Sequence, residues 1–370
     1  MTKTSPSEHA TAAPVPEASA KATAARSGFR IGPEGWTTLA LFGLTVFMIL
    51  ASRLISSGFG SWQQAQAILL LSSFTIVLGF GQGLVILIGG LDLSVGVVMT
   101  LGGILAYRWI GTSLVALFWA IPCILLVTGC VGAINGLGAT LLRLPPFIMT
   151  LATSLIIYGV FLGFTGGQPR GVASPALTSA YTSTFAGLPV ILWLLLIFII
   201  LATLVQSHSS FGRRLYAVGT SPMAAYIAGL PVRLLIVAAY AISGATSGLA
   251  GILLVGYATG ATLTMGQSYL LPSVAAVVVG GASILGGRGT YLATVGGALL
   301  LTTLSTIIEA LGLAEGWRTV IYGLVIMLAL LALRENMGIG WALTPKFRNT
   351  ASRSRPGGAG HKPNKTGGNG

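Results

Sequence analysis

FGRRLYAVGTSPMAAYIAGLPVR, from Phe211 to Arg233, is the one long basic interruption in an otherwise hydrophobic chain. Arg213 and Arg214 stop an apolar run on the side of a membrane that favours positive charge. Ser221 can cap a helix whose first position is Pro222, where the missing N–H is no loss. Gly229 and Pro231 can end that helix. The stretch therefore predicts a short cytoplasmic helix outside the bilayer, offered to another molecule.

On either side the chain is apolar. It has 370 residues, 54% of them hydrophobic and 7% charged, with a mean hydropathy of +0.88. Soluble domains carry about 25% charged residues. Apolar runs of about 20 residues recur along the chain, so the fold class is all-α, a polytopic membrane helix bundle. The 52 glycines suit helices that pack closely in lipid, where Leu gains nothing by exchanging a lipid tail for another Leu. The net charge of +13 reads as a basic face toward anionic lipid rather than as a nucleic-acid surface. Cys123 and Cys130, seven residues apart, share a helical face and suggest neither a disulfide nor a metal site.

Residues 1–35 are polar, rich in Ala, Pro, Thr and Ser, and unlike a signal peptide. They are expected to be a disordered tail, as is the basic stretch 334–370. Between them, 36–333 is expected to form the membrane domain. Roughly ten spans fit, at 36–57, 63–89, 93–110, 114–140, 146–165, 188–206, 233–256, 269–286, 290–311 and 317–333. The third is short, and the second and third suit a broken or re-entrant pair. An even number of spans puts both tails on one side. Sixteen of the 20 Lys and Arg fall on that side, against Arg53, Arg108, Arg170 and Arg318, so the tails are expected to be cytoplasmic. The longest outward loop runs from about Gly166 to Pro189 and begins GGQPRG. It reads as a docking place for an external partner or as a simple connector.

No catalytic constellation is visible. His9, His208 and His361 stand alone, and HExxH, CxxC and GxSxG are absent. GGASILGGRG, Gly280 to Gly289, lacks the Gly-Lys-Ser/Thr ending that holds phosphate and magnesium. Its glycines read instead as a close helix approach or a span break. The chain is thus expected to be no enzyme and to hydrolyse no ATP. Polar groups inside the membrane are costly and are candidates by default. Asp92 and Ser94, in GGLDLSVG, either line a passage or cap a helix at a span break. Glu309 either sits at the interface near Arg318 or lines a pathway. Gln82 and Asn135 either bond across helices or face a wet passage. The pairs Gly89-Gly90 and Gly286-Gly287 hint at a repeat, although the two halves do not align.

Several stretches together resemble a known family, the ribose-type permeases of bacterial ABC importers. They are IGGLDLSVGVVMTLGG (Ile88 to Gly103), AINGLGATLLRLPPFIMTLAT (Ala133 to Thr153), TGGQP (Thr165 to Pro169), FGRRLYAVGTSPMAAYIAGLPV and AAVVVGGASILGGRGT (Ala275 to Thr290). They occur in order from about Ser61 to Leu333. The resemblance implies a permease for a monosaccharide such as ribose or xylose in the bacterial inner membrane. It implies partnership with a second permease chain, identical or not, with ATP-binding cassette subunits and with a periplasmic sugar-binding protein. The only cofactor implied, magnesium-ATP, belongs to the ATP-binding subunit and not to this chain. Thr220 to Leu230 is implied to be the coupling helix, with Arg213, Arg214, Gly219, Thr220, Ser221, Pro222, Ala224, Ala225 and Gly229 as coupling residues.

The chain departs from the family pattern in three places. SYLLPS stands for an acidic GYELDA, with Leu270 and Pro272 at the acidic positions. STIIEALG stands for NNGLNLLG, with Ser305, Thr306 and Glu309 at the Asn positions. Pro222-Met223 stands where Asn-Glu is usual. The candidate pathway is therefore Gln82, Asp92, Ser94, Asn135, Ser305, Thr306 and Glu309. Two rival readings stay open. One is an ion-coupled secondary transporter using Asp92 or Glu309. The other is an ABC permease for a nucleoside or a furanose-like signal molecule.

Overall fold

The computed structural model describes residues 33–54, 59–111, 113–167 and 174–336. Most of both expected tails lies outside the described residues, as does the QPRG end of GGQPRG, which includes Arg170. A lipid core leaves a backbone no water to bond, so a crossing segment must satisfy its own amides, and helices do so. Thirteen α-helices appear among the described residues: α1 (Pro33–Ala51), α2 (Trp62–Leu87), α3 (Val95–Trp109), α4 (Leu114–Leu141), α5 (Pro146–Thr165), α6 (Pro175–Thr182), α7 (Val190–Thr203), α8 (Ser210–Thr220), α9 (Pro222–Ile227), α10 (Val232–Ala258), α11 (Leu270–Val279), α12 (Tyr291–Ala310) and α13 (Glu315–Asn336). A two-residue hairpin, β1 (Thr184–Phe185) with β2 (Leu188–Pro189), precedes α7. A π-helical turn, Leu204–His208, follows it.

Among the described residues, seven helices are long and apolar enough to cross a membrane. Two shorter apolar helices, Val95–Trp109 and Gln267–Val279, and the 22-residue α13 cover the remaining expected spans. The chain is a polytopic helical membrane protein. One boundary needs correction. The expected span 269–286 stops being helical at Val279, because Gly281, Gly286, Gly287 and Gly289 all take positive φ and turn the chain back. The repeat reading changes as well. The two halves share a long helix, a break and a short helix, as α2–α3 and α10–α11. The Gly89 and Gly286-Gly287 pairs do not correspond along the chain but meet in space. A Cβ on Gly286 would lie 2.9 Å from the Gly89 nitrogen.

The centre of the bundle is α10, packed on α2, α3 and α4, with α12 on α2, α11 and α1. Small residues make this possible. A Cβ on Gly102 would sit 2.5 Å from the Gly248 Cα, and one on Gly244 would sit 2.2 Å from the Thr128 oxygen. Around this centre α1, α4, α5 and α7 turn large apolar side chains outward, among them Phe118, Leu126, Leu155, Ile156 and Ile197. A band of that kind belongs in lipid or against another chain.

Chain direction distinguishes the two ends of the bundle. The C-terminus of α2 and the N-termini of α10 and α12 share one end with α8 and α9. The opposite end holds α6 and the hairpin. There Tyr181 donates to the Leu253 carbonyl at 2.8 Å. Burial pushes the Tyr181 phenol above its usual range, so it stays a donor.

Candidate functional site

The Phe211–Arg233 stretch folds as two capped helices rather than one. Ser209 Oγ accepts from Gly212 N at 3.0 Å and starts α8. Ser221 Oγ accepts from Ala224 N at 3.2 Å and starts α9. The end of α9 is a Schellman closure. Leu230 N–H reaches Ala225 O, Gly229 N–H reaches Tyr226 O, both at 3.0 Å, and Gly229 takes φ +78°. Pro222, Ala224, Thr220, Arg213 and Arg214 face solvent, whereas Ala225 is buried. Beside Ala224, Met223, Tyr226 and Ile227 form an exposed apolar tip.

The inner side of α8 is wedged into the bundle, with Leu215 and Val218 fully buried. Gly219 meets backbone on two sides. A Cβ there would lie 1.9 Å from Leu87 O and 2.7 Å from Gly287 N. Gly287 N–H itself donates to Leu87 O at 2.8 Å. Tyr216 Oη and Gln206 Nε2 both donate to Gly289 O, at 2.6 and 3.2 Å. The end of α2, the 280–290 turn and α8 therefore form one junction. The glycines of GGASILGGRG serve this close approach. Sequence reasoning missed Tyr216 and Gln206, because a lone Tyr and a lone Gln carry no pattern.

In mid-bundle, Asp92 and Ser94 lie in the break before α3. Asp92 Oδ1 accepts from Ser94 N at 2.9 Å and Ser94 Oγ at 2.6 Å, and Oδ2 accepts from Ser243 Oγ at 2.9 Å. Asn135 Nδ2 donates to Ser94 Oγ at 2.9 Å, and Thr153 Oγ1 donates to Asn135 Oδ1 at 2.6 Å. Thr150 Oγ1 accepts from Leu93 N at 3.0 Å, and Ser154 Oγ donates to Leu93 O at 3.1 Å. This chain of bonds ties the break to α4, α5 and α10. Asp92, Ser94 and Asn135 are buried. Ser94 stands at the N-cap position of α3 without a capping bond from its own side chain. Its backbone amide is taken by Asp92 instead.

Toward the opposite end a cavity of about 810 Å³ opens between α2, α10, α11, α12 and α13. Its size falls within the roughly 300–1,000 Å³ usual for small-molecule clefts. Ser305, Thr306 and Glu309 line it together, within about one turn of α12. Asp92, Ser94, Asn135 and Gln82 do not. Facing them are Thr262, Gln267, Tyr269, Arg318 and Tyr322. Tyr322 Oη bonds Ser305 Oγ, and Arg318 Nη1 lies 3.4 Å from Glu309 Oε1. Pro272, at one of the two departed acidic positions, also lines the chamber, whereas Leu270 packs into the core. Hydroxyls, an amide and an aromatic wall around one ion pair suit a neutral polyhydroxylated cargo. Of the non-α12 lining the sequence singled out Arg318, beside Glu309, and Pro272, whereas Thr262, Gln267, Tyr269 and Tyr322 escaped it because they lie far from α12 in the chain.

A helical bundle with a chamber toward one end, lined by both apolar side chains and hydroxyl and amide groups, and a short helix wedged in at the other has the parts of a membrane transporter. The protein family described as branched-chain amino acid transport system / permease component matches residues 64–330. The chain belongs to that family. It is 32% identical to the ribose import permease of Haemophilus influenzae over 83% of this chain and 95% of that protein. It is 31% identical to the ribose import permease of Escherichia coli K12, over 82% and 96%. The D-allose transport system permease of the same strain is 27% identical, over 78% of this chain and 88% of that protein. No solved structure matches the chain.

Proposed function

We propose that this chain is the membrane permease of a bacterial ABC importer for a monosaccharide of the ribose or xylose kind. In this reading it sits in the inner membrane with both termini in the cytoplasm. The side chains of Arg213 and Arg214, exposed on α8, suit that side. A periplasmic binding protein docks at the α6 and hairpin end and releases sugar into the chamber. The exposed tip of α9 seats in an ATP-binding subunit, which holds magnesium-ATP; this chain carries no cofactor of its own. Closure of that subunit presses on α8, and the Gly219 junction passes the displacement to α2 and to the 280–290 turn. A second permease chain completes the pathway.

The observation that carries this reading is the chamber. It presents hydroxyl and amide groups to a cargo, with the Glu309 and Arg318 side chains paired at 3.4 Å. The relatives named for ribose and allose import agree with it. The test is uptake into vesicles holding this chain, its ATP-binding partner and its binding protein. ATP-dependent accumulation of ribose or xylose is expected. Accumulation of leucine or of a nucleoside instead would overturn the cargo, and uptake driven by an ion gradient without ATP would overturn the class. A cysteine at Ala224, which is exposed, is expected to crosslink to the ATP-binding subunit.

A further inference from the structure

Gln82 is fully buried in α2, and neither Nε2 nor Oε1 meets a hydrogen-bond partner among the described residues. Two other buried polar side chains of α2 behave otherwise. Ser72 and Ser73 each donate to a carbonyl one turn back in the same helix. A hydroxyl can satisfy itself in that way, but a glutamine amide needs outside partners. An amide with all its donors and acceptors idle in an apolar interior is disfavoured, and its presence asks for an explanation.

Its place along α2 supplies one. Leu71, Thr75, Leu78 and Gln82 recur at i, i+4, i+7 and i+11, the spacing that stacks side chains on one helix face. Leu71 and Thr75 line the chamber. Leu78 comes next, fully buried in the main apolar cluster. Gln82 follows, about 10 Å of helix rise beyond Thr75. Five residues further on is Leu87, whose carbonyl belongs to the Gly219 junction. One face of α2 thus carries, in order, chamber wall, apolar layer and idle amide, and the last turn of the same helix carries the junction contact.

We propose that Gln82 is a second polar station for the cargo, reached when the apolar layer at Leu78 parts and the chamber opens toward α8 and α9. The proposal rests on the import reading above and adds the route taken below the chamber. In the state described here the station is shut and its amide waits unpaired. The fitting ligand is a neutral polyhydroxy compound. The amide offers it two donors and an acceptor without drawing in an ion.

Two variants test this in membranes holding the chain with its ATP-binding partner, with ribose as probe. The first is Gln82→Cys in a Cys123→Ala, Cys130→Ala background. A charged thiol reagent is expected to spare it without nucleotide, to label it in the ATP-trapped state, and to label it more slowly with ribose present. No labelling in any nucleotide state would overturn the proposal. The second is Gln82→Met, which keeps length and removes the amide. Melting temperature is expected to hold or rise and ATP hydrolysis to continue, while ribose uptake falls at least about tenfold, roughly the worth of one good cargo hydrogen bond. Wild-type uptake would overturn the proposal, and so would loss of folded protein, since that would make the amide structural. If the unmodified complex imports no ribose, the import reading fails first; if it imports normally and so does Gln82→Met, only the second station falls.

Discussion

Replacing Gly219 by alanine puts a methyl group where the bundle leaves no room. The new Cβ would lie 1.9 Å from Leu87 O, 2.7 Å from Gly287 N and 3.1 Å from Gly287 Cα. All three are backbone atoms, so no rotamer change relieves the clash. Ordinary contact needs about 3.5 Å, so α8 or the 280–290 turn must retreat by roughly 1.5 Å. The Gly287 N–H to Leu87 O bond, 2.8 Å long, lies in the same gap and would open. Overpacking costs about 1–3 kcal/mol, and a buried amide left unpaired about 1–3 kcal/mol more. Even 2 kcal/mol shifts a local equilibrium about 30-fold. The bundle itself is held elsewhere, so the variant is expected to insert and to fold, with a melting temperature several degrees below the parent's. What it is expected to lose is transmission. Uptake and ATP hydrolysis measured on the same vesicles should show hydrolysis continuing while sugar moved per ATP falls at least about tenfold. Gly159→Ala, in α5, is the control: nothing lies within 4 Å of a Cβ there, so transport per ATP is expected to match the parent's. A Gly219→Ala protein with the parent's transport-to-hydrolysis ratio would refute the idea that α8 acts through this contact.

Five further outcomes are expected. Asp92→Leu orphans Ser94 N–H, Ser94 Oγ and Ser243 Oγ at about 1–3 kcal/mol each, and should sharply lower the melting temperature. Asp92→Asn keeps an acceptor oxygen and should retain ATP-driven uptake, whereas an ion-coupled carrier built on Asp92 would stop. Ser221→Ala removes the cap of a six-residue helix, about 1 kcal/mol, and should weaken crosslinking from position 224 without affecting the melting temperature. Tyr216→Phe leaves Gly289 O with Gln206 as its remaining side-chain donor and should cost about 1 kcal/mol, read as faster amide exchange in the 280–290 turn. Glu309→Gln breaks a part-exposed pair worth about 0–1 kcal/mol, so stability should hold while the KM for sugar delivered by the binding protein changes.

Much of the architecture was legible because each span announces itself by length and hydropathy, and the caps of α9 by residue type. Ser221, Pro222 and Gly229 fall at the positions their chemistry demands. Phe211 to Thr220 was harder. Its helix is short, basic and interrupted by two glycines, and it forms because Leu215 and Val218 find the bundle beneath them. Span 269–286 misled for the opposite reason. Its apolar content continues past the point where positive-φ glycines end the helix. The chamber was half visible. Ser305, Thr306 and Glu309 share one helix face, whereas Gln267, Tyr269 and Tyr322 join them only through tertiary packing. Asp92 was noticed for its charge, yet its partner Ser243 lies 151 residues away, beyond any local pattern.

The glycine contacts between α3 and α10 carry a mechanical consequence. Gly102 faces the Gly248 backbone, and a Cβ on Gly103 would stand 3.1 Å from the Gly251 oxygen. At Gly102 backbone touches backbone, with no side chain between to act as a bearing. Sliding α3 by one turn, about 5.4 Å, would drive Val98 or Leu105 toward the slot at Gly102, which refuses a single carbon. The two helices are keyed like a bolt in its notch. They can tilt together about that seam, but they cannot shear along it.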